Sequence, residues 1–429
     1  MKGDKKVLKT CAIYQMLFNS AKKRYIPFHM PGNKLGKWDI TELAYSDNLA
    51  SPHGCIARAE QDIAQILGAH KSFILTDGST SGVLSMLYAA KALGVQRIAV
   101  GENSHKSVWN GCKLLGITPL VYEQGRAGNI PKQATMSAMK ADFAELLEAA
   151  DALFITSPDY YGNVADLKAL RKYCDEKGKL LLIDGAHGGH LHFDKELYAG
   201  AYADMWVDGV HKSLPSLTQG AVLSARSERC AKALLEGVLV FRTTSPSYPI
   251  MASVEYAVKY PRNEWLEKSV KEYVSSCERI YKAEDWTKLC AVFGENAFLA
   301  EKALMQKGIY PEFCDGNVVM FYLSPLTKKK DFERLKKELA KLFQIYPYRA
   351  VKELDGAPAP LVLEENAQTE WVELAIAEGK ICANDCGLFP PCTPLIRRGE
   401  KVQGEQIKLL QQAANTYGLV DNKILLIKQ

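Results

Sequence analysis

Asp184 and Lys212 are the two residues of this sequence best placed to do chemistry together. Each follows a short apolar run. Leu180 to Ile183 precede Asp184, and Met205 to Val207 precede the Asp208-Gly-Val-His-Lys-Ser-Leu-Pro segment that holds Lys212. Runs of Leu, Ile and Val without alternation mark strands buried on both faces, as in a parallel sheet. Functional groups in open parallel sheets gather just beyond the carboxyl ends of the strands. A lysine and a carboxylate so placed suit a pyridoxal phosphate site. The lysine would carry an imine to the cofactor, and the carboxylate would hold the ring nitrogen protonated so that the ring can accept electrons.

Asp184-Gly-Ala-His alone fits a plain strand end equally well, and Lys212 alone fits a surface charge. The loop His211-Lys-Ser-Leu-Pro, followed by Thr218-Gln-Gly-Ala, favours the cofactor. Asp77-Gly-Ser-Thr-Ser-Gly follows a strand candidate and opens a helix, where backbone amides and the hydroxyls of Ser79 and Thr80 suit a phosphate. Read alone it is an ordinary helix cap. His105 follows the second strand candidate, where an aromatic ring could lie over a pyridine; the alternative is a capping or surface histidine.

The elements that must position these groups alternate along the chain. Strand candidates are 72–75, 97–100, 118–122, 153–156, 180–183, 205–207 and 221–224, with helical spacing at 55–67, 83–93, 106–115, 138–150 and 165–176. This pattern predicts an α/β fold with a mostly parallel seven-stranded sheet and right-handed crossovers. Between Val207 and Ala221 there is little room for a crossover helix, and Pro215 disfavours one, so the last strand should run antiparallel with Lys212 in the connection. Helices are expected to end near Phe241, to begin near Tyr248 and to span 265–286. A smaller α+β C-terminal domain should hold a strand at 318–323 and helices near 331–343, 370–377 and 405–414. Residues 1–25 read as an amphipathic helix with Tyr14, Leu17 and Phe18 on one side, available to a partner. The expected division is an N-terminal segment 1–55, a large cofactor-binding domain 56–260, and a linking helix with the small domain 261–429.

Composition narrows the classes. The 429 residues are 47% hydrophobic and 24% charged, values of an ordinary globular protein. A net charge of +5 is too small to argue for nucleic acid. Lys328-Lys-Lys leads into Phe332, Leu335, Leu339 and Phe343, the spacing of an amphipathic helix with a solvated basic face. Neither a signal peptide nor a membrane span is visible. Eleven scattered cysteines fit reduced thiols, so a cytoplasmic location is expected. No metal is expected: Cys382, Cys386 and Cys392 lack the close pairs of zinc ribbons, and the His187, His190 and His192 loop is already employed by the cofactor. All eight histidines lie at or before His211, which puts the titratable chemistry in the first half.

With these residues in view, the chain resembles the ornithine/lysine/arginine decarboxylases among the fold type I (aspartate-aminotransferase-like) pyridoxal-phosphate enzymes. The likeness runs from about Phe28 to Ser253 and rests on Phe28-His-Met-Pro-Gly, Gly78-Ser-Thr-Ser-Gly, Asn103-Ser-His-Lys-Ser, Pro158-Asp-Tyr-Tyr-Gly, Asp184-Gly-Ala-His-Gly, His211-Lys-Ser-Leu-Pro and Thr243-Thr-Ser-Pro-Ser-Tyr. It implies a Schiff base on Lys212 and a pairing of Asp184 with the pyridinium nitrogen. It implies that His105 stacks on one ring face and Ala186 on the other, with His187 among the cofactor-binding residues. Ser79 and Thr80 would bind phosphate beside His211, and Thr244 or Ser245 would reach in from a second subunit. The chain departs from the pattern at Asn33, at Gly185 (usually Glu), at Gly209-Val210 (usually Ser-Thr) and at Phe389-Pro-Pro-Cys-Thr-Pro. Gly209 removes a hydroxyl that the family pattern would set against the phosphate, and the last departure falls in a region that helps shape the family's substrate pocket, which puts the substrate in question.

The resemblance implies a decarboxylase of arginine, lysine or ornithine that yields a polyamine or diamine. It leaves open another fold type I reaction, such as an aminotransferase or a C–S or C–C lyase, and a non-catalytic regulatory protein. The chain starts almost directly at the family's short N-terminal segment, so a homodimer with shared active sites is expected, without the extra N-terminal domain of the large members.

Overall fold

The computed structural model describes residues 4–23, 25–34, 38–124, 126–127, 130–131, 134–350, 367–389, 394–413 and 415–428. Its centre is a seven-stranded sheet made of β1 (Lys71–Leu75), β2 (Arg97–Gly101), β3 (Thr118–Tyr122), β4 (Ala152–Thr156), β5 (Leu180–Asp184), β6 (Met205–Asp208) and β7 (Ala221–Ala225). The spatial order is β1-β7-β6-β5-β4-β2-β3. Strand β7 pairs antiparallel with both β1 and β6, and the remaining pairs are parallel. The short return between Val207 and Ala221 thus forces the expected reversal.

Alternate side chains of the central strands enter opposite layers. Leu181, Ile183 and Trp206 join one core with Leu153 and Ile155, while Leu182, Met205 and Val207 join the other with Phe154 and Leu223. Both faces are covered, which is why these strands read as unbroken apolar runs. Three helices bear on the argument: α1 (Ala12–Lys22), α2 (Cys55–Leu67) and α3 (Gly78–Ala92). The helix expected over 138–150 is two, Met136–Asp142 and Ala144–Ala149, broken at Phe143.

The N-terminal helix packs on its own chain. Ile13 and Leu17 are buried in the main core, and the amides of Ala12 and Ile13 donate to the Glu255 carboxylate at 2.6 and 2.9 Å. An anion at the amino end of α1 satisfies amides that have no partner within the helix. Only Phe18 of the predicted stripe stays largely outside.

The C-terminal part holds a three-stranded antiparallel sheet of β8 (Lys288–Val292), β9 (Phe313–Cys314) and β10 (Val318–Tyr322), in the order β8-β10-β9. Its basic helix spans Lys329–Ile345 and buries Phe332, Leu335, Leu339 and Leu342, as the spacing predicts. Two expectations fail here. The helix expected over 265–286 spans Glu264–Ser276 and stops at the Ser275-Ser276-Cys277 run of weak helix formers. The segment expected as a helix near 370–377 is β11 (Thr369–Glu373) followed by a 3-10 turn at Leu374–Ile376. It pairs with β12 (Lys423–Ile427), whose Ile424 and Leu426 supply the burial that 369–373 lacks. Among the described residues no helix is long and apolar enough to cross a membrane.

Candidate active site

Asp184 closes β5 and is 5% exposed, with one carboxylate oxygen accepting the Ala186 amide at 3.1 Å. Lys212 sits in a single helical turn, Val210–Ser213, between β6 and β7. Both line one cleft of about 270 Å³ together with Ser79, Thr80, His105, Ala186, His187 and His211. The structure therefore brings together eight of the ten residues singled out from the sequence. Thr244 and Ser245 do not line the cleft of their own chain and are exposed, although the Thr243 amide donates to the Asp77 carboxylate at 3.0 Å. That bond gives the segment a reason, missed in the sequence, to lie beside the Ser79 helix of its own chain.

Each histidine in the cleft is oriented by a neighbour. His105 is the N-cap of Lys106–Leu115, and its Nδ1 accepts the Ser107 amide at 3.2 Å. It thus caps a helix and lines the cleft at once. Burial, more than the charge of Asp184 opposing it, pushes the His105 imidazole below its ordinary value. His211 is depressed by burial as well, and its Nδ1 donates to the Gly220 carbonyl at 2.9 Å. His187 Nε2 lies 3.0 Å from Lys212 Nζ. The three-histidine loop is not a cluster: His190 Nε2 turns to Asp285 at 2.8 Å and His192 Nδ1 to the Gly189 carbonyl at 2.7 Å. Cys382 and Cys386 lie with sulfurs 4.0 Å apart, and Cys392 is outside the described residues.

Two features of the cleft fit a phosphorylated pyridine aldehyde. The amino end of α3 carries no side-chain cap from Asp77; the Gly78 amide donates to the Gln219 carbonyl at 2.8 Å, which leaves the Ser79 and Thr80 amides for an anion. Thr156 Oγ1 is buried with no hydrogen-bond partner, and Thr156 stands opposite Asp184 in the β4–β5 register. Neighbouring glycines are tight. A Cβ on Gly209 would lie 2.5 Å from the Ala186 carbonyl oxygen, so the Lys212 turn approaches the Ala186 backbone only because residue 209 has no side chain.

The family model described as "Orn/Lys/Arg decarboxylase, major domain" matches residues 15–292. The chain belongs to the Orn/Lys/Arg decarboxylase family. That family consists of pyridoxal-phosphate-dependent decarboxylases, which fixes pyridoxal 5'-phosphate as the cofactor and a carboxy-lyase as the enzyme class. This family member is 28% identical to the uncharacterized protein YaaO of Bacillus subtilis over 93% of both chains. It is 26% identical to the arginine decarboxylase of Bacillus subtilis over 93% of this chain and 92% of that one. In fold it resembles the constitutive lysine decarboxylase of Escherichia coli, with a TM-score of 0.71 and 19% identity over 98% of this chain and 82% of that chain. The lysine decarboxylase LdcF of Francisella novicida gives 0.75 and 17% over 97% and 81%. These two structures share the fold type I architecture.

Other lining residues escaped the sequence reading. Asp159 and Tyr160 line the cleft from the loop after β4. Asp159 accepts the Tyr161 and Asn163 amides at 2.9 Å each, and burial still pushes its carboxyl up to about 6. Tyr160 donates its hydroxyl to Glu312 at 2.8 Å. Pro158-Asp-Tyr-Tyr-Gly was legible as a family motif, and its position just past a strand end is the signal that could have given these two residues a site role. Tyr322 and Lys288, which reach His187 from the C-terminal sheet, have no local signal at all.

Proposed function

We propose that this family member decarboxylates a basic amino acid (arginine, lysine or ornithine) and releases the corresponding polyamine or diamine. The observation that carries the reading is the convergence of Lys212, Asp184 and the uncapped amino end of α3 on one cleft. When bound, pyridoxal phosphate supplies a sink for the electron pair left by departing carbon dioxide. Lys212 holds the cofactor covalently, and Asp184 pairs with the ring nitrogen and keeps its proton in place. His105 and Ala186, which line the same cleft, would hold the ring between them, with His187 and His211 as further cofactor-binding residues. The amides and hydroxyls of Ser79 and Thr80 hold the phosphate.

A basic substrate is supported by the carboxylates that serve the same cleft. Asp159 lines it, and Glu312 is tied to the lining residue Tyr160. Either offers a partner for a distal ammonium or guanidinium group. The working form is a cytoplasmic homodimer in which Thr244 or Ser245 of one subunit completes the phosphate site of the other.

A screen of carbon dioxide release over the amino acids, with identification of the amine formed, tests this reading. A basic amino acid should be the preferred substrate. A keto acid product, or no carbon dioxide from any basic amino acid, would replace it with another reaction on the same scaffold.

A further inference from the structure

His187 is held between two lysines and a tyrosine. Its Nε2 is 3.0 Å from Lys212 Nζ, and its Nδ1 is 3.3 Å from the Tyr322 hydroxyl. Its backbone carbonyl accepts Lys288 Nζ at 2.8 Å. Lys288 is fully buried, and its ammonium has further acceptors in Asp285 Oδ2 at 2.6 Å and Thr287 Oγ1 at 3.1 Å. It also lies 4.2 Å above the Tyr322 ring. Tyr322 and Lys288 both come from the C-terminal sheet, whereas His187 and Lys212 lie in the connections that follow β5 and β6 of the large one.

The protonation states follow from these surroundings. Burial pushes the His187 imidazole well below its ordinary value and the charge of Lys288 adds to it, so the ring is neutral at pH 7 whichever form Lys212 takes. Burial, then Asp285, pushes the Tyr322 phenol well above its ordinary value, so its proton stays on. A neutral imidazole has one donor nitrogen and one acceptor nitrogen. The Tyr322 hydroxyl could give its proton to Nδ1 or, at 3.4 Å, to the His187 carbonyl. That carbonyl already takes the stronger, charged donor from Lys288. Nδ1 is also the nearer acceptor, at 3.3 Å against 3.4 Å, and a tyrosine proton directed to Nδ1 puts the ring's own proton on Nε2.

We propose that Tyr322 fixes His187 in the tautomer protonated on Nε2, and that this N–H, directed at Lys212 Nζ, holds the lysine as a neutral amine. An N–H needs a lone pair to receive it, and an ammonium has none. A neutral amine is also what Lys212 needs to bond an aldehyde carbon. Asp184 in the same cleft favours the ammonium, so the histidine N–H works against it, while His105, His211 and Lys106 add to the surroundings. His187 touches the reacting nitrogen. Tyr322 acts through the imidazole and Lys288 through the His187 carbonyl, and both are positioning residues. The inference gains its catalytic meaning from the proposed role of Lys212 in holding the cofactor.

The test is the pH dependence of amine reactivity in full-length protein freed of cofactor. Formaldehyde condenses with a neutral amine as water leaves, cyanoborohydride reduces the product by adding hydride, and peptide mass spectrometry reports each lysine separately. The exposed Lys172 serves as the internal reference. Tyr322→Phe and His187→Ala should each raise the labelling midpoint of Lys212 by about one pH unit, the equivalent of one hydrogen bond and roughly a ten-fold loss of neutral amine. His187→Gln keeps an N–H donor and should stay near the wild-type midpoint. The Lys172 midpoint should not move in any variant. An unchanged Lys212 midpoint in His187→Ala, or in folded Tyr322→Phe, would overturn the proposal. Borohydride trapping of pyridoxal phosphate on the wild type checks the role of Lys212 separately. An adduct on another lysine would end that reading and leave the midpoint test intact.

Discussion

His190 of the large sheet's loop reaches Asp285 of the C-terminal part at 2.8 Å, and both side chains are buried. The same carboxylate receives Lys288 at 2.6 Å. Burial alone would raise the Asp285 carboxyl, but His190 and Lys288 outweigh it and hold it well below the usual carboxylate range. A depressed aspartate contributes stability above its unfolded value of ~3.9 and loses it as pH falls further. Asp285→Asn leaves Lys288 buried without its counter-charge and should cost ~3–5 kcal/mol. Denaturant titration at pH 7 measures this, and the difference from the wild type should shrink in acid. A loss below ~1 kcal/mol would mean that water or a shifted side chain takes the place of the carboxylate.

Lys212 carries the second prediction. Lys212→Ala should leave the fold intact and abolish the borohydride-trapped adduct of pyridoxal phosphate on the 205–225 region. Peptide mass spectrometry after reduction checks it. Retention of a trapped adduct at wild-type level would assign the cofactor to a different amine.

The third prediction concerns Gly209. With the Ala186 carbonyl 2.5 Å from where a Cβ would lie, even Gly209→Ala must displace backbone. Overpacking of that kind costs ~1–3 kcal/mol, against a gain of ~0.4–1 kcal/mol from a stiffer unfolded chain. Net destabilisation and weaker cofactor binding should result, read by thermal melting and cofactor titration. An alanine variant more stable than the parent would show that the turn relaxes freely.

Much of this site was legible because its parts lie at strand ends. Leu180–Ile183 and Met205–Val207 are so uniformly apolar that only two-faced burial explains them, and Asp184 and Lys212 follow directly. The missing helix between Val207 and Ala221 gave away the reversal of β7. Residues 370–377 misled because Trp371, Val372, Leu374 and Ile376 fit either period over so short a stretch; the pairing with Lys423–Ile427 decides it, and that is a long-range fact. The contributions of Lys288 and Tyr322 were invisible for the same reason. Their neighbours in sequence say only that they lie on buried strands.

Asp208 gives the fourth prediction. Burial, partly offset by hydrogen bonds from Tyr198 and Trp206, pushes this carboxyl up to about 7. Its folded value exceeds the unfolded ~3.9, so the site's stability is complete below pH ~4 and is lost as pH rises towards neutrality. Asp208→Asn keeps an acceptor for Tyr198 and removes the titration. Its melting temperature relative to wild type should therefore climb between pH 4 and pH 8, by the equivalent of ~1–4 kcal/mol. A constant difference across that range would show that Asp208 does not titrate there.

The fifth prediction is subunit complementation. A hydrogen bond to a charged acceptor is worth ~1.5–3 kcal/mol, so losing a partner's hydroxyl from the phosphate should weaken cofactor binding about ten-fold or more. Subunits with Lys212→Ala, mixed with subunits carrying Thr244→Ala and Ser245→Ala, should regain activity in one site of each mixed dimer. Sedimentation gives the assembly and turnover gives the rescue. A fully active monomer, or no rescue after proven exchange, would refute the shared site.

The sheet order also bears on how the chain is made. Strand β1 has a single neighbour, β7, with Lys71 opposite Ala225 and Leu75 opposite Ala221. The first strand to leave a ribosome is thus among the last to be paired. At ~5–20 residues per second, the wait between them is on the order of ten seconds. During it Phe73, Ile74 and Leu75 offer an open, water-averse edge to any other nascent strand. The flanking helices α2 and α3, completed on either side of it in sequence, offer early shelter among the described elements, so yield in the cell should depend on translation speed and chaperone supply as well as on the stability of the finished enzyme.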